Sequence, residues 1–323
     1  MANEVEKFNA IALADIEKIN GKTDDNIEKL NGFEFSGIVI QKGIFFGGAN
    51  ASGTTGISNL VSITGVVASD TSAVGTARNG AGGTEYGTGT AIVAYGTTGS
   101  MSSLSNLINT SGVVASDTSG VGTARQNPMA CNYGSDKGIM AFGYAASATN
   151  ISNLINNSGV VSSDVSGVGT SRQNGAGMEY GGDKGILGFG YLTGITNLIS
   201  NAGVVASDTS GVGTARSSLG GCAYGTDKGI FAHGTSSGGI VSTSNLVNNS
   251  GVVASDTTGV GTGREEISAC EYGADLGIFC FGYTSWPNHV NTRSLVNNSG
   301  VIASDATGAG TARYGTAGCS YGT

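Results

Sequence analysis

Apolar and polar positions recur along most of this chain in short blocks rather than at helical spacing. Runs such as Gly43 to Gly48 (GIFFGG) and Gly185 to Gly190 (GILGFG) are apolar throughout and bounded by glycine, the pattern of a short strand buried on both faces. Each such run follows a turn phrase such as Gly225 to Gly229 (GTDKG), and before the turn lies a stretch rich in Ala, Gly and Cys that ends in Tyr-Gly. After the run comes an Asn-Leu-Val phrase, a turn at Asn-Ser-Gly, and Val-Val-Ala-Ser-Asp. The sequence therefore predicts units of four short strands, with no long helix.

The unit repeats. Arg78, Arg125, Arg172, Arg216, Arg264 and Arg313 all stand in Gly-Thr-Ala-Arg or a close variant, 44 to 49 residues apart. Each lies 8 residues before a tyrosine (Tyr86, Tyr133, Tyr180, Tyr224, Tyr272, Tyr321) and 8 after an aspartate (Asp70, Asp117, Asp164, Asp208, Asp256, Asp305). A period near 47 without helical pattern suits one four-stranded propeller blade. The chain enters this pattern at a second strand, residues 43–48, and closes it with a first strand, residues 313–322. Pairing those two segments would leave no sheet incomplete. The expected fold is all-β: a six-bladed propeller over residues 37–323, closed by the C-terminal strand.

An Arg opening the first strand, a Tyr at its end, an Ile-Phe-x-x-Gly second strand and an Asn-Leu-Val third strand resemble the order of the kelch repeat. The diglycine of that repeat survives intact only at Gly47-Gly48, and the sole tryptophan, Trp286, falls in a loop.

Composition sharpens this picture. Glycine supplies 57 of 323 residues and proline 2, which suits tightly stacked sheets and excludes collagen or a proline-rich linker. A net charge of −8 without any basic run argues against a nucleic-acid partner. No stretch is long and apolar enough to predict a membrane span. Four of the cysteines, Cys131, Cys222, Cys270 and Cys319, stand two residues before a Tyr-Gly, where a reduced thiol serves as a small spacer facing the neighbouring unit.

Residues 1–36 read differently. The phrases Asp15 to Gly21 (DIEKING) and Asn26 to Gly32 (NIEKLNG) repeat with an offset of 11 and suggest two very short helices, or an irregular arm, with Ile16, Ile19, Ile27 and Leu30 as apolar contacts for assembly. These phrases, together with the Gly/Ser/Thr/Asn-rich units, resemble structural proteins of marine bacteriophages, including those that infect cyanobacteria. The resemblance implies a virion component made in the host cytoplasm. Its arm would engage other virion proteins, and its propeller would meet a partner or a host-surface glycan or receptor. A free lectin or adhesin is the alternative.

Catalytic chemistry finds little support. His233 and His289 are the only histidines, and His233 replaces an aromatic in a second strand, so neither a metal, a cofactor nor an enzymatic role is expected. The six arginines admit two readings: an axial ring for an anion or a partner carboxylate, or residues tied to nearby aspartates and carbonyls. Variation points elsewhere. The segment between second and third strands runs from 6 to 11 residues, and the three residues after each Arg differ in every unit, whereas the other spacings are fixed. In a four-stranded blade both spots lie on one face, where binding loops concentrate. The longest segment, 283–293, gathers Trp286, Pro287, His289 and Arg293; Gln126, Gln173, Glu265 and Tyr314 join them from the positions after Arg. Trp286 would be either an exposed stacking plate or a plug for its own blade.

Overall fold

The structure is a computed structural model; it describes residues 41–322 apart from Ala73, and within the first forty residues only a set of two-residue strands. The chain divides into two units, Met1–Ile40 and Gln41–Gly322, four residues beyond the boundary expected at residue 36.

In the first unit the predicted helical turns are replaced by strand pairs: Lys7–Phe8 with Ile11–Ala12, Lys18–Ile19 with Lys22–Thr23, and Lys29–Leu30 with Phe33–Glu34. These begin 11 residues apart, so the repeat is threefold and starts earlier than its two most similar copies reveal. Lys18–Ile19 and Lys29–Leu30 are thus strands where short helices were one expectation, and Gly21 and Gly32, which close the two phrases, lie outside the described residues. Ile19 and Leu30 fall in these strands; Ile16 and Ile27 lie outside the described residues.

The second unit is all-β and built from six small antiparallel sheets. Sheet 1 comprises Ala317–Tyr321, Lys42–Phe46 and Ser58–Val61; sheet 2, Gly82–Tyr86, Thr90–Ala94 and Ser105–Ile108; sheet 3, Met129–Tyr133, Lys137–Ala141 and Ser152–Ile155. Sheet 4 comprises Ala176–Tyr180, Lys184–Gly188 and Thr196–Ile199; sheet 5, Gly220–Tyr224, Lys228–Ala232 and Ser244–Val247; sheet 6, Ser268–Tyr272, Leu276–Cys280 and Thr292–Val296. In each, the strands are named first, second and third in that order. Sheet 1 pairs the two ends of the unit, with Cys319 opposite Ile44 and Tyr321 opposite Lys42.

The expected fourth strand forms fully in no sheet. Only sheet 6 has a short one, Ala306–Thr307. Elsewhere the third strand meets the returning chain at single bridges, as at Val61 with Val67 and Ser58 with Thr71, which span three steps on one side and four on the other. The extra residue is a bulge, and it breaks a continuous ladder along the outer edge. It also turns Asp70 towards the side chain of Asn59, whose Nδ2 donates to Asp70 Oδ1 at 2.9 Å.

Packing passes from sheet to sheet. Six apolar clusters each join two successive sheets, and one of them unites Phe45, Val61 and Val67 of sheet 1 with Cys270, Tyr272, Ile278 and Phe281 of sheet 6. First strands neighbour first strands in the same cyclic order. Such an arrangement is propeller-like. The glycine of the Asn-Ser-Gly turn shows how tight the contact is. At Gly159, φ is +76°, and a Cβ would stand 2.7 Å from the Tyr86 ring of the preceding sheet. The cysteines fill similar gaps: all five are free and buried, and a Cβ on Gly185 would collide with Cys131 Sγ.

The repeated arginines sit inside this packing, and all six are fully buried. In sheet 2, Arg78 Nη2 donates to Asn106 Oδ1 at 2.6 Å and Nε to the Tyr95 carbonyl at 2.8 Å. Asp117 accepts from Thr76 Oγ1 at 2.6 Å and from Asn106 Nδ2 at 2.9 Å, and stands 3.7 Å from Arg78. Arg78 therefore pairs with the aspartate ahead of it in the chain, not with Asp70 behind it. The pattern wraps: Arg313 and Thr311 close on Asn59 and Asp70. Burial works against the charge of these aspartates, but the threonine and asparagine donors outweigh it and hold the carboxyls below the usual range.

Five of the six guanidinium groups, all but that of Arg264, also lie over an aromatic ring of the preceding sheet. Arg125 lies 3.9 Å from the Tyr95 ring, Arg172 4.0 Å from Phe142, Arg216 4.6 Å from Phe189 and Arg313 4.0 Å from Phe281. His233 takes the aromatic position of sheet 5 and breaks the series. Both its ring nitrogens are buried without partners, as are Nε of Arg216 and Nε of Arg264 on either side. Burial, and then the charge of Arg264, push its imidazole down to about 3, so it is neutral at physiological pH. Replacing this orphaned ring by an apolar one of similar shape should help. His233→Phe is expected to stabilise the domain by about 1 kcal/mol, read as a rise of roughly 2–4 °C in melting temperature; a fall would show that His233 carries an interaction unlike its counterparts.

Candidate functional site

The first strands set out the two ends of an axis. The residue two after each Arg opens one end: Gly80, Asn127, Asn174, Ser218, Glu266 and Gly315, all with φ between 51° and 62°. Their backbones bond to one another across sheets, with Asn127 N to Gly80 O at 2.7 Å, Gly80 N to Gly315 O at 2.8 Å, Gly315 N to Glu266 O at 3.1 Å and Ser218 N to Asn174 O at 2.6 Å. This left-handed collar rims a cavity of about 90 Å³ that every sheet helps to line. Glycine and asparagine tolerate that conformation; serine and glutamate hold it at a cost of about 1 kcal/mol or more, which the hydrogen bonds of the collar offset.

On the same end lie the variable segments. In five of the six units the residue after Arg bridges to the residue that follows the second-strand glycine, as Gln126 does with Tyr144, Glu265 with Tyr283 and Tyr314 with Ala49. The two kinds of variable position are thus physically joined. The 283–293 segment forms a small hairpin, Tyr283–Ser285 against Asn288–His289. It carries the aromatic cluster of this face. Tyr314 and His289 stack with centroids 4.9 Å apart, and Trp286 stands edge-on to Tyr314 at 5.6 Å, to His289 at 5.5 Å and to Tyr283 at 5.9 Å. Trp286 remains 66% exposed. It rests on the other rings rather than plugging the sheet.

Acidic groups back the cluster. Glu265 accepts a short hydrogen bond from Thr235 Oγ1, and Glu266 Oε1 accepts from Ser218 Oγ at 3.3 Å. Burial, and then Glu265 and Glu266, push the Tyr283 hydroxyl well up; burial and Glu266 raise that of Tyr314. The chain brings Trp286, His289, Tyr314 and Glu265 together. Gln126 and Gln173 stand on the same face in sheets 3 and 4, outside the aromatic group. Tyr283 and Glu266 complete the site without having been singled out from sequence. Tyr283 directly follows a second-strand Phe-Gly, and Glu266 is the middle residue of a variable triplet, so both lay beside positions already marked.

One expectation is corrected, and one of the two readings of the arginines is decided. Arg293 is not part of the loop site: it lies in the third strand of sheet 6, opposite Cys280, and its guanidinium donates to the Gly65 carbonyl of sheet 1. It occupies the place held by serine or threonine in the other five third strands, and a strand position fixes it to the inter-sheet seam. Nor do Arg78, Arg125, Arg172, Arg216, Arg264 and Arg313 ring an open mouth for anions. Their side chains are fully buried, with donors directed at protein acceptors and rings.

The opposite end of the axis is acidic. The residue before each first-strand tyrosine is Glu85, Glu179 or Glu271 in sheets 2, 4 and 6, and Asn132, Ala223 or Ser320 in sheets 3, 5 and 1. Gln41, the first residue of this unit, donates to both Glu85 at 3.0 Å and Glu271 at 3.2 Å, and Asn132 donates to Glu179. Among the described residues no group suited to a metal ion is formed.

The chain matches no protein-family model and no curated protein sequence.

The axial carboxyls carry a pH dependence. Burial first, then mutual repulsion, raises Glu179 to about 7 and Glu271 to about 8, against hydrogen bonds that pull down, and burial raises Glu85 as well. A raised value means that the folded state holds the proton more tightly than the unfolded chain. The contribution is complete below about pH 4.5 and is lost as pH rises through 7 to 8. Melting temperature is therefore expected to fall between pH 5 and pH 8.5, and the double variant Glu179→Gln/Glu271→Gln to flatten that fall; an unchanged slope would place the titrating groups elsewhere.

Proposed function

We propose that this chain is a non-enzymatic virion component of a bacteriophage, in which a closed six-bladed kelch-like propeller presents a recognition face and residues 1–36 attach it to other virion proteins. The cyclic order of the inter-sheet clusters and the pairing of Ala317–Tyr321 with Lys42–Phe46 support six blades and closure. The observation that carries the functional reading is the exposed aromatic cluster around Trp286, built on variable segments over a fixed frame. A rigid exposed aromatic group offers contact area at low entropic cost, to the apolar face of a sugar or to a pocket on a partner protein.

Polarity within the second unit supports the same reading. Recognition groups gather at the collar end of the first strands, whereas Gln41, through which the chain joins this unit to the preceding segment, lies at the glutamate end. The alternative of a free carbohydrate-binding lectin or adhesin draws on the same tryptophan and differs in having no particle to join.

Removal of residues 1–32 is expected to abolish incorporation into particles while leaving the melting of the remaining domain unchanged. Trp286→Ala is expected to abolish attachment to the host surface with melting temperature shifted by less than about 2 °C. Sugar binding by the shortened chain, with no particle association of the full one, would favour the lectin.

A further inference from the structure

The recognition face is uneven in its chemistry. Glu265 and Glu266 stand side by side, and among the described residues neither has a cationic partner, although every repeated arginine is engaged elsewhere. Glu266 lines the collar cavity, where its recorded hydrogen bond is the 3.3 Å contact with Ser218 Oγ. Asn174 lines the same cavity, and its Oδ1 is buried without a donor. The cavity therefore presents a carboxylate and an unfilled acceptor, and nothing positive. Its volume of about 90 Å³ is large enough for a compact head group.

The aromatic cluster adjoins this cavity through the backbone. Tyr314 precedes Gly315 of the collar, Glu265 precedes Glu266, and Tyr283 bridges to Glu265. Aromatic faces attract cations, and adjacent carboxylates repel anions. A net charge of −8 over the chain works in the same direction.

We infer that this site takes a primary ammonium group, with the head group at Glu266 and Asn174 in the collar cavity and the attached carbon frame against Trp286 and Tyr314. The inference rests on the loop face being the recognition surface. Two sources share the chemistry: an amino sugar of a surface glycan and a lysine side chain of a partner protein.

Trp286 is the sole tryptophan, so its fluorescence reports on this site alone. The full chain is titrated with glucosamine and with Nα-acetyl-lysine amide, each beside its neutral counterpart, N-acetylglucosamine and Nα,Nε-diacetyl-lysine amide. Calorimetry on the same solutions provides a second readout. A saturable response to at least one cation is expected, at least tenfold weaker for the neutral member of that pair. Glu266→Gln, which keeps the shape of the side chain and a contact for Ser218, is expected to weaken the cation tenfold or more while melting normally. A stronger response to glucosamine identifies the glycan source, and a stronger response to the lysine amide identifies the protein source. Equal binding of cation and neutral counterpart, an unaffected Glu266→Gln, or no saturable response to either cation would each overturn the inference. Should Trp286→Ala still abolish attachment in that case, the recognition face stands and only its preference for ammonium falls.

Discussion

A guanidinium taken wholly out of water must find acceptors for its donors and a surface for its flat faces, and this requirement organises the second unit. Arg78 bonds the carbonyl of Tyr95 in its own sheet, while Arg125 of the following sheet stacks on the ring of that same tyrosine. Phe189 is held in the same two ways by Arg172 and Arg216. These two aromatic residues are thus gripped by the backbone from one side and by the ring from the other, which links successive sheets through shared residues. Lysine could not replace arginine here, since only a planar fork makes both kinds of contact. The aspartates act one step further out: by bonding threonine and asparagine, Asp117 and its counterparts fix the acceptor that the arginine uses.

With the frame fixed in this way, the remaining positions can change at little structural cost. Collar residues contribute backbone groups to the inter-sheet bonds, so Gly80, Asn127, Ser218 and Glu266 serve equally in that role. Side-chain identity is free to vary there. The hairpin carrying Trp286 follows the second strand of sheet 6, and Tyr314 reaches it from the connection into sheet 1. The aromatic group therefore straddles the junction at which the two ends of the unit meet.

Much of this was legible in the chain. The fixed intervals between Asp, Arg and Tyr gave the units, and the place at which the pattern starts and stops gave the pairing of residues 313–322 with 43–48, realised as Ala317–Tyr321 with Lys42–Phe46. Partner choice was not legible: an 8-residue interval suggests a local Asp70 to Arg78 contact, yet that stretch crosses between sheets and each arginine pairs forward. Composition could not show that the outer strand fails, since a one-residue bulge leaves the hydrophobic pattern intact. In the first unit, strands of two residues such as Lys18–Ile19 and Lys29–Leu30 are too short to leave a period that separates them from a helical turn. Arg293 reads as loop because the Ser-Leu phrase begins at Ser294, two residues beyond the true start of the strand at Thr292.

The pairing of sheet 1 also bears on synthesis. Arg313 bonds to the carbonyl of Gly47, 266 positions away, and Phe46 pairs with Ala317. During translation the sheets in between can assemble in order as they emerge, but Lys42–Phe46 must wait with one edge uncovered. An uncovered edge of apolar sequence invites pairing with the wrong chain. The last step of folding is therefore a long-range closure whose loop entropy is already reduced by the five sheets formed before it, and crowded nascent chains are most exposed to mispairing in the interval before that strand arrives.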